Sequence, residues 1–273
     1  MSAIIGIVTG LFVLFGANWM SGDSFVALMK PDAALIVFGG TTAALLVHAD
    51  FSAIKNAFKH LSWLVKPPNT DAIKLIEEFQ EWARIVRKDN SFLGLQEVAA
   101  NISDRFLEIS IESLLANTPG DEIRDLLYRV GDVEDREFLL SGEIWEAAGG
   151  YAPTIGVLGA VLGLIHVMLR LNHPSELGGG IATAFVATVY GVGSANLIFF
   201  PLGHRLKMIA GGRTVYREIA TEGFLLLREK TNPRRIRSSL EQMLESRRRA
   251  ALVEKEEKAQ ETPELATATG SSI

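Results

Sequence analysis

The chain contains no cysteine, which removes disulfide scaffolds, thiol nucleophiles, iron–sulfur clusters and cysteine-ligated zinc. It has no surplus of positive charge: 27 basic against 32 acidic residues leave a net charge of −5 and a pI near 5.6. That balance argues against a nucleic-acid partner. Strand-like alternation is nowhere sustained. Charged residues make up 22% of the 273 positions, yet four long runs hold no Asp, Glu, Lys or Arg. These are residues 3–20, 33–49, 147–169 and 178–203.

Those four runs are what the chain has in their place. A removable signal peptide should open with Lys or Arg and end in small residues. The first run, AIIGIVTGLFVLFGANWM, does neither, so it reads as a retained span with Trp19 at the interface. The second, bracketed by Asp32 and Asp50, is at the short end for crossing a bilayer. Core helices of soluble proteins seldom stay uncharged on every face for so long, so all four are expected to span a membrane.

Basic residues orient the spans. Lys30 is alone in the first short loop and Arg170 in the second, whereas residues 51–146 hold eleven and those after 203 hold fourteen. Both termini and the middle segment are expected on the cytoplasmic side. The expected fold is an all-α integral membrane protein with four transmembrane helices as two hairpins. A hairpin in 1–50 precedes a helical cytoplasmic domain, 51–146. A second hairpin, 147–203, leads to cytoplasmic C-terminal helices over 204–258 and a disordered tail, 259–273. In the middle domain, Asn69 or Thr70 is placed to cap a helix with the apolar stripe Ala72, Ile76, Phe79, Ala83 and Val86.

Small residues at four-residue spacing let helices approach closely in lipid. Gly159 and Gly163, the pair Gly156 and Ala160, and the series Ala187, Gly191 and Ala195 have that spacing. Packing is their direct expected role. No strand precedes these glycines and no phosphate-binding Lys follows, so they do not form a nucleotide loop. Pro153 and Pro201 each remove a backbone donor inside a run and displace the carbonyl of Gly149 or Leu197. Each is either a passive kink or a hinge. No carboxylate lies in any run, although such groups are the usual ion carriers in a membrane. His48 and His166 lie near predicted ends, where interfacial or packing roles are expected. Thr188 is mid-span and can bond its own helix backbone. If this chain moves ions, another chain must supply the carboxylate.

The stretch from Gly149 to Leu206, GGYAPTIGVLGAVLGLIHVMLRLNHPSELGGGIATAFVATVYGVGSANLIFFPLGHRL, resembles the signature of flagellar motor stator A subunits. These belong to the MotA/TolQ/ExbB proton-channel family. The hairpin–domain–hairpin order extends the resemblance over nearly the whole chain, and four spans favour the stator branch over three-span energy-coupling relatives. The resemblance implies a homo-oligomeric ring of A subunits around a single-span B subunit that supplies an aspartate. It also implies contact with the rotor switch complex and residence in the bacterial inner membrane. The family's functional prolines match Pro153 and Pro201, and its pore threonine matches Thr188. A second pore threonine of sodium-driven members corresponds to Ala160, which favours protons as the translocated ion. No other cofactor is implied. The rotor-facing glutamate matches Glu97. The basic position falls on Arg87 or Lys88, because Asp89, Asn90 and Ser91 add residues after them. The expected activity is channel and torque transmission without covalent catalysis. An A-like subunit of an outer-membrane energy-coupling complex and a non-conducting scaffold are the alternatives.

Overall fold

The computed structural model describes residues 29–268, together with 5, 6, 8–10, 12, 13 and 16. Those early residues are helical, but most of the first expected span, and all of 269–273, lie outside the described residues. Among the described residues every regular element is a helix. In chain order these are α1 (Pro31–His48), α2 (Phe51–His60), α3 (Ala72–Asp89), α4 (Gln96–Asn101), α5 (Arg105–Leu115), α6 (Gly120–Leu169), α7 (Pro174–Ser194), α8 (Phe200–Arg228) and α9 (Pro233–Ala268). Among the described residues, three helical stretches are long and apolar enough to cross a membrane: Pro31–His48, Gly120–Leu169 and Leu177–Arg228.

Two departures from the sequence pattern concern helix ends. The charged stretch 121–145 and the third apolar run form one helix of 50 residues, about 75 Å long at the standard rise. Nothing between them breaks a helix. At the C-terminus α9 continues to Ala268, past residue 258 and across Pro263.

The chain forms two compact units. One comprises Met1–Pro68 with Glu134–Gly211, the other Asn69–Val133 with Gly212–Ile273. Residues 51–68 and 134–146, both in the charge-rich middle segment, therefore pack with the apolar helices. In that first unit Ala57 of α2 is buried with Ile144, Trp145, Leu202 and Leu206, and the Trp145 indole N–H donates to the Ala57 carbonyl at 3.2 Å.

The second unit has a conventional core. All five residues of the expected α3 stripe are buried. Phe79 meets both Trp82 and Phe224 with ring centroids 4.9 Å apart. The Phe79 ring lies on the bare backbone of Gly223, where a Cβ would stand 2.5 Å from it. The α3 cap is Asp71, one position past the two expected candidates. Its carboxylate accepts from the Ile73 and Lys74 N–H groups at 3.1 Å, while Asn69 Oδ1 accepts from Asp71 N–H. Asp104 caps α5 in the same way and also pairs with Arg213 at 2.6 Å. Arg213 is 7% exposed; it donates to the Asn69 carbonyl as well and lies over the Tyr216 ring. Burial pushes the Tyr216 hydroxyl well above its usual range.

Candidate functional site

Helices α6 and α7 run antiparallel along a seam of small residues. At Gly156 an added Cβ would stand 2.9 Å from the Ala187 carbonyl oxygen. At Gly191 it would stand 2.6 Å from the Ala152 oxygen and 3.2 Å from the Pro153 Cα. An added Cβ would stand 2.9 Å from the Ala187 methyl at Gly159 and 2.9 Å from the Ala184 backbone at Gly163. Backbones meet here with no side chain between them, the arrangement that dispersion favours where no hydrophobic drive exists. Ala187 and Ala195 are fully buried. Ala160 is only half-buried, so the Gly156/Ala160 pair contributes chiefly through its glycine.

The seam extends beyond the residues singled out from spacing. A Cβ on Gly149 would lie 2.8 Å from the Phe200 ring, and one on Gly203 would lie 2.8 Å from the Gly142 oxygen. Gly142, Gly149, Gly156 and Gly163 recur every seven residues, and a strict seven-residue repeat keeps one stripe facing its partner along a left-handed pair. That repeat was the available signal. A search for pairs four apart misses it. At the Gly142 end the Glu146 carboxylate accepts from Lys207 Nζ at 2.6 Å, with His204 Nε2 at 3.5 Å.

The two prolines sit differently. Pro153 is half-buried within the unbroken α6, against Gly191. Pro201 is the second residue of α8 and follows a π-helical turn, Ala195–Phe199. That wider turn contains Leu197, whose carbonyl the Pro201 ring displaces, so the helix absorbs the missing donor by loosening one turn. Thr188 is half-buried and donates to the Ala184 carbonyl at 3.3 Å, the backbone bond expected of a threonine in an apolar helix.

Helix α1 lies against both members of the seam. Gly40 faces Ile155, a Cβ on Gly159 would stand 3.2 Å from Ile36, and Ala33 and Val37 are buried with Val186 and Ala187. A Cβ on Gly10 would stand 3.0 Å from a Leu197 methyl, which brings the described part of the first run to the same group. Asp32, which only bracketed a run in the sequence, accepts a hydrogen bond from Thr183 at 2.7 Å. Such a pairing of residues 151 apart has no sequence signal. His48 pairs with the Tyr151 hydroxyl at 3.1 Å.

The expected rotor-facing residues lie in the second unit and are all exposed. Arg87 and Lys88 occupy the last turn of α3, and Glu97 the first turn of α4. Between them Asn90 has a left-handed backbone (φ 47°), and Lys230 donates to its carbonyl at 2.8 Å and its side-chain oxygen at 2.7 Å. Arg228 and Lys230 both lie over the Phe92 ring. Asn90 is thereby tied to the residues just past the end of α8.

Residues 98–219 match the MotA/TolQ/ExbB proton channel family, and residues 4–90 match the motility protein A N-terminal region. Motility protein A of Bacillus subtilis is 30% identical over 94% of this chain and 95% of its own length. Chemotaxis protein PomA of Vibrio alginolyticus is 27% identical, covering 92% and 97%. Among solved structures, C. jejuni MotAB matches with a TM-score of 0.81 at 26% identity, covering 89% of this chain and 94% of that one. The flagellar MotAB stator complex of Bacillus subtilis matches at 0.78 and 30%, covering 89% and 96%.

Proposed function

Because this chain belongs to the MotA/TolQ/ExbB proton channel family and is a flagellar stator subunit, we propose that it lines an ion path whose carrier group is borrowed. The observation that carries this reading is a tightly sealed helix pair with no carboxylate in either apolar run. Small residues let α6 and α7 pack backbone to backbone, and an ion needs a charged or polar relay that this seam lacks. A single-span B subunit supplies it as an aspartate.

The chain crosses the inner membrane four times as two hairpins, with both termini and the charged middle segment inside. Several copies form a ring around the B subunit. Support comes from apolar side chains that the single chain leaves exposed, among them Val157, Val161 and Ile165 on α6 and Phe185 and Val189 on α7. Copies, B subunit and lipid would cover them. Thr188 lines the path, and Ala160 in place of a second threonine favours protons. The loosened turn before Pro201 and the packed Pro153 act as hinges. Arg87 or Lys88, with Glu97, engages the rotor switch complex.

Deleting the gene in a strain without other stators should abolish swimming, and normal swimming would refute rotation. Proton conductance should require co-expressed B subunit; conductance by this chain alone would refute the borrowed carrier. Pro153→Ala, Pro201→Ala and Thr188→Ala should lower swimming speed or flux while membrane levels stay normal. Loss of assembly would instead make them packing residues.

A further inference from the structure

Helix α2 leaves α1 through two extended residues, Ala49 (φ −141°, ψ 154°) and Asp50 (φ −61°, ψ 145°). One face packs on the first unit through Ile54 and Ala57 against Ile144, Trp145, Leu202 and Leu206. The flank beside that packed face is unusual for a helix that has a core to pack on, with the Phe58 ring also meeting Trp145 edge-on at a centroid distance of 4.9 Å. Phe51 is 73% exposed and Phe58 is 58% exposed, and Lys55 and Lys59 stand beside them at helical spacing. Beyond the helix the stripe continues with exposed Val65 and Lys66. From residue 51 to residue 70 there is no Asp or Glu. Aromatic rings interleaved with lysines, starting three residues after an apolar helix ends, form a face that is neither an ordinary solvated surface nor a core.

We propose that this face binds anionic phospholipid of the cytoplasmic leaflet. Phe51 and Phe58 enter the boundary between headgroups and acyl chains, and the ammonium groups of Lys55, Lys59 and Lys66 meet phosphodiester headgroups. The position next to α1 puts the stripe at headgroup depth, and its uncompensated positive charge complements an anionic surface. A second copy paired through this same face would cover the aromatics but would oppose three like charges, because residues 51–70 hold no Asp or Glu. The proposal rests on the sidedness given above, and the test separates the two.

The complex with the B subunit, purified in detergent, is titrated with equal amounts of phosphatidylglycerol and phosphatidylcholine and read by native mass spectrometry. Wild type should retain phosphatidylglycerol preferentially, and less so as salt rises. K55Q/K59Q/K66Q should lose about five-fold in preference per lysine, whereas K55R/K59R/K66R should keep it. No preference in wild type, or an undiminished one in the glutamine variant, overturns the proposal. So does F51S/F58S breaking the assembly with lipid retention unchanged, which would make the face a contact between copies. Ser62→Cys adds one thiol to a cysteine-free chain and reports sidedness. Labelling from inside only supports the orientation; labelling from outside overturns the orientation and the leaflet assignment together. Inside labelling without lipid preference removes the lipid claim alone.

Discussion

The two units hold themselves together by opposite means. In the second, Phe79, Trp82 and Phe224 fill a core around Leu75, Phe106 and Ile219, and stability comes from apolar area removed from water. In the first, Gly156, Gly191, Gly163 and Ala187 let α6 and α7 meet with almost no side chain between them. Val157, Leu158, Val161 and Leu164 on α6 and Val189 and Val192 on α7 are exposed instead. Lipid tails are as apolar as leucine, so hiding large side chains gains nothing there, and close contact between backbones is what remains. The same element of secondary structure is thus built by large residues facing inward in one unit and by small ones in the other.

Substitutions that reverse size test this contrast. Gly191→Leu should have the largest effect, because its first carbon meets the Ala152 oxygen at 2.6 Å and backbone cannot step aside. No assembled complex should be recovered from membranes; near-normal recovery would mean the seam is looser than described. Phe79→Ala, the opposite change in the other unit, should cost about 3–5 kcal/mol. It should appear as a lower unfolding midpoint of the purified complex followed by tryptophan fluorescence. Arg213→Met strands the Asp104 carboxylate, 17% exposed, without its 2.6 Å partner, and should cost about 3 kcal/mol. If the midpoint moves no more than for an exposed substitution, the pair does not hold α5 to α8.

The smallest expected effect is a pH dependence. His60 is 5% exposed. Ser141 Oγ donates to the Glu137 carbonyl at 2.9 Å and so accepts from His60 Nδ1–H at 2.8 Å. Burial first, and then Lys59, push the imidazole below its ordinary value of 6.5, against the opposing pull of Glu137. A histidine depressed in the folded state contributes stability that is present above pH 6.5 and is lost as the pH falls below it. His60→Gln should therefore flatten the midpoint between pH 7 and pH 5. An unchanged slope would place the titration elsewhere.

Much of the site was legible because it depends on local spacing. The α3 stripe is a helical period, and Gly156, Gly159 and Gly163 announce close packing by size alone. Asn69, Thr70 and Asp71 are all competent caps, so local chemistry alone does not choose among them; in the fold Asp71 accepts from the Ile73 and Lys74 N–H groups, while the Asn69 carbonyl goes to Arg213. The bond between Asn90 and Lys230 has no such local signal, since the two are 140 residues apart.

By itself, the amino-acid order determined where charge is forbidden: all 59 acidic and basic residues lie outside four runs, and desolvation makes that a statement about solvent. It therefore made the all-helical class legible. Only the tertiary structure decided that α6 is one helix from Gly120 to Leu169, that Gly142 and Gly203 belong to the seam, and that Asp32 answers to Thr183. Those features join residues far apart in the chain, and composition fixes how a helix segment is solvated while only packing chooses its partner.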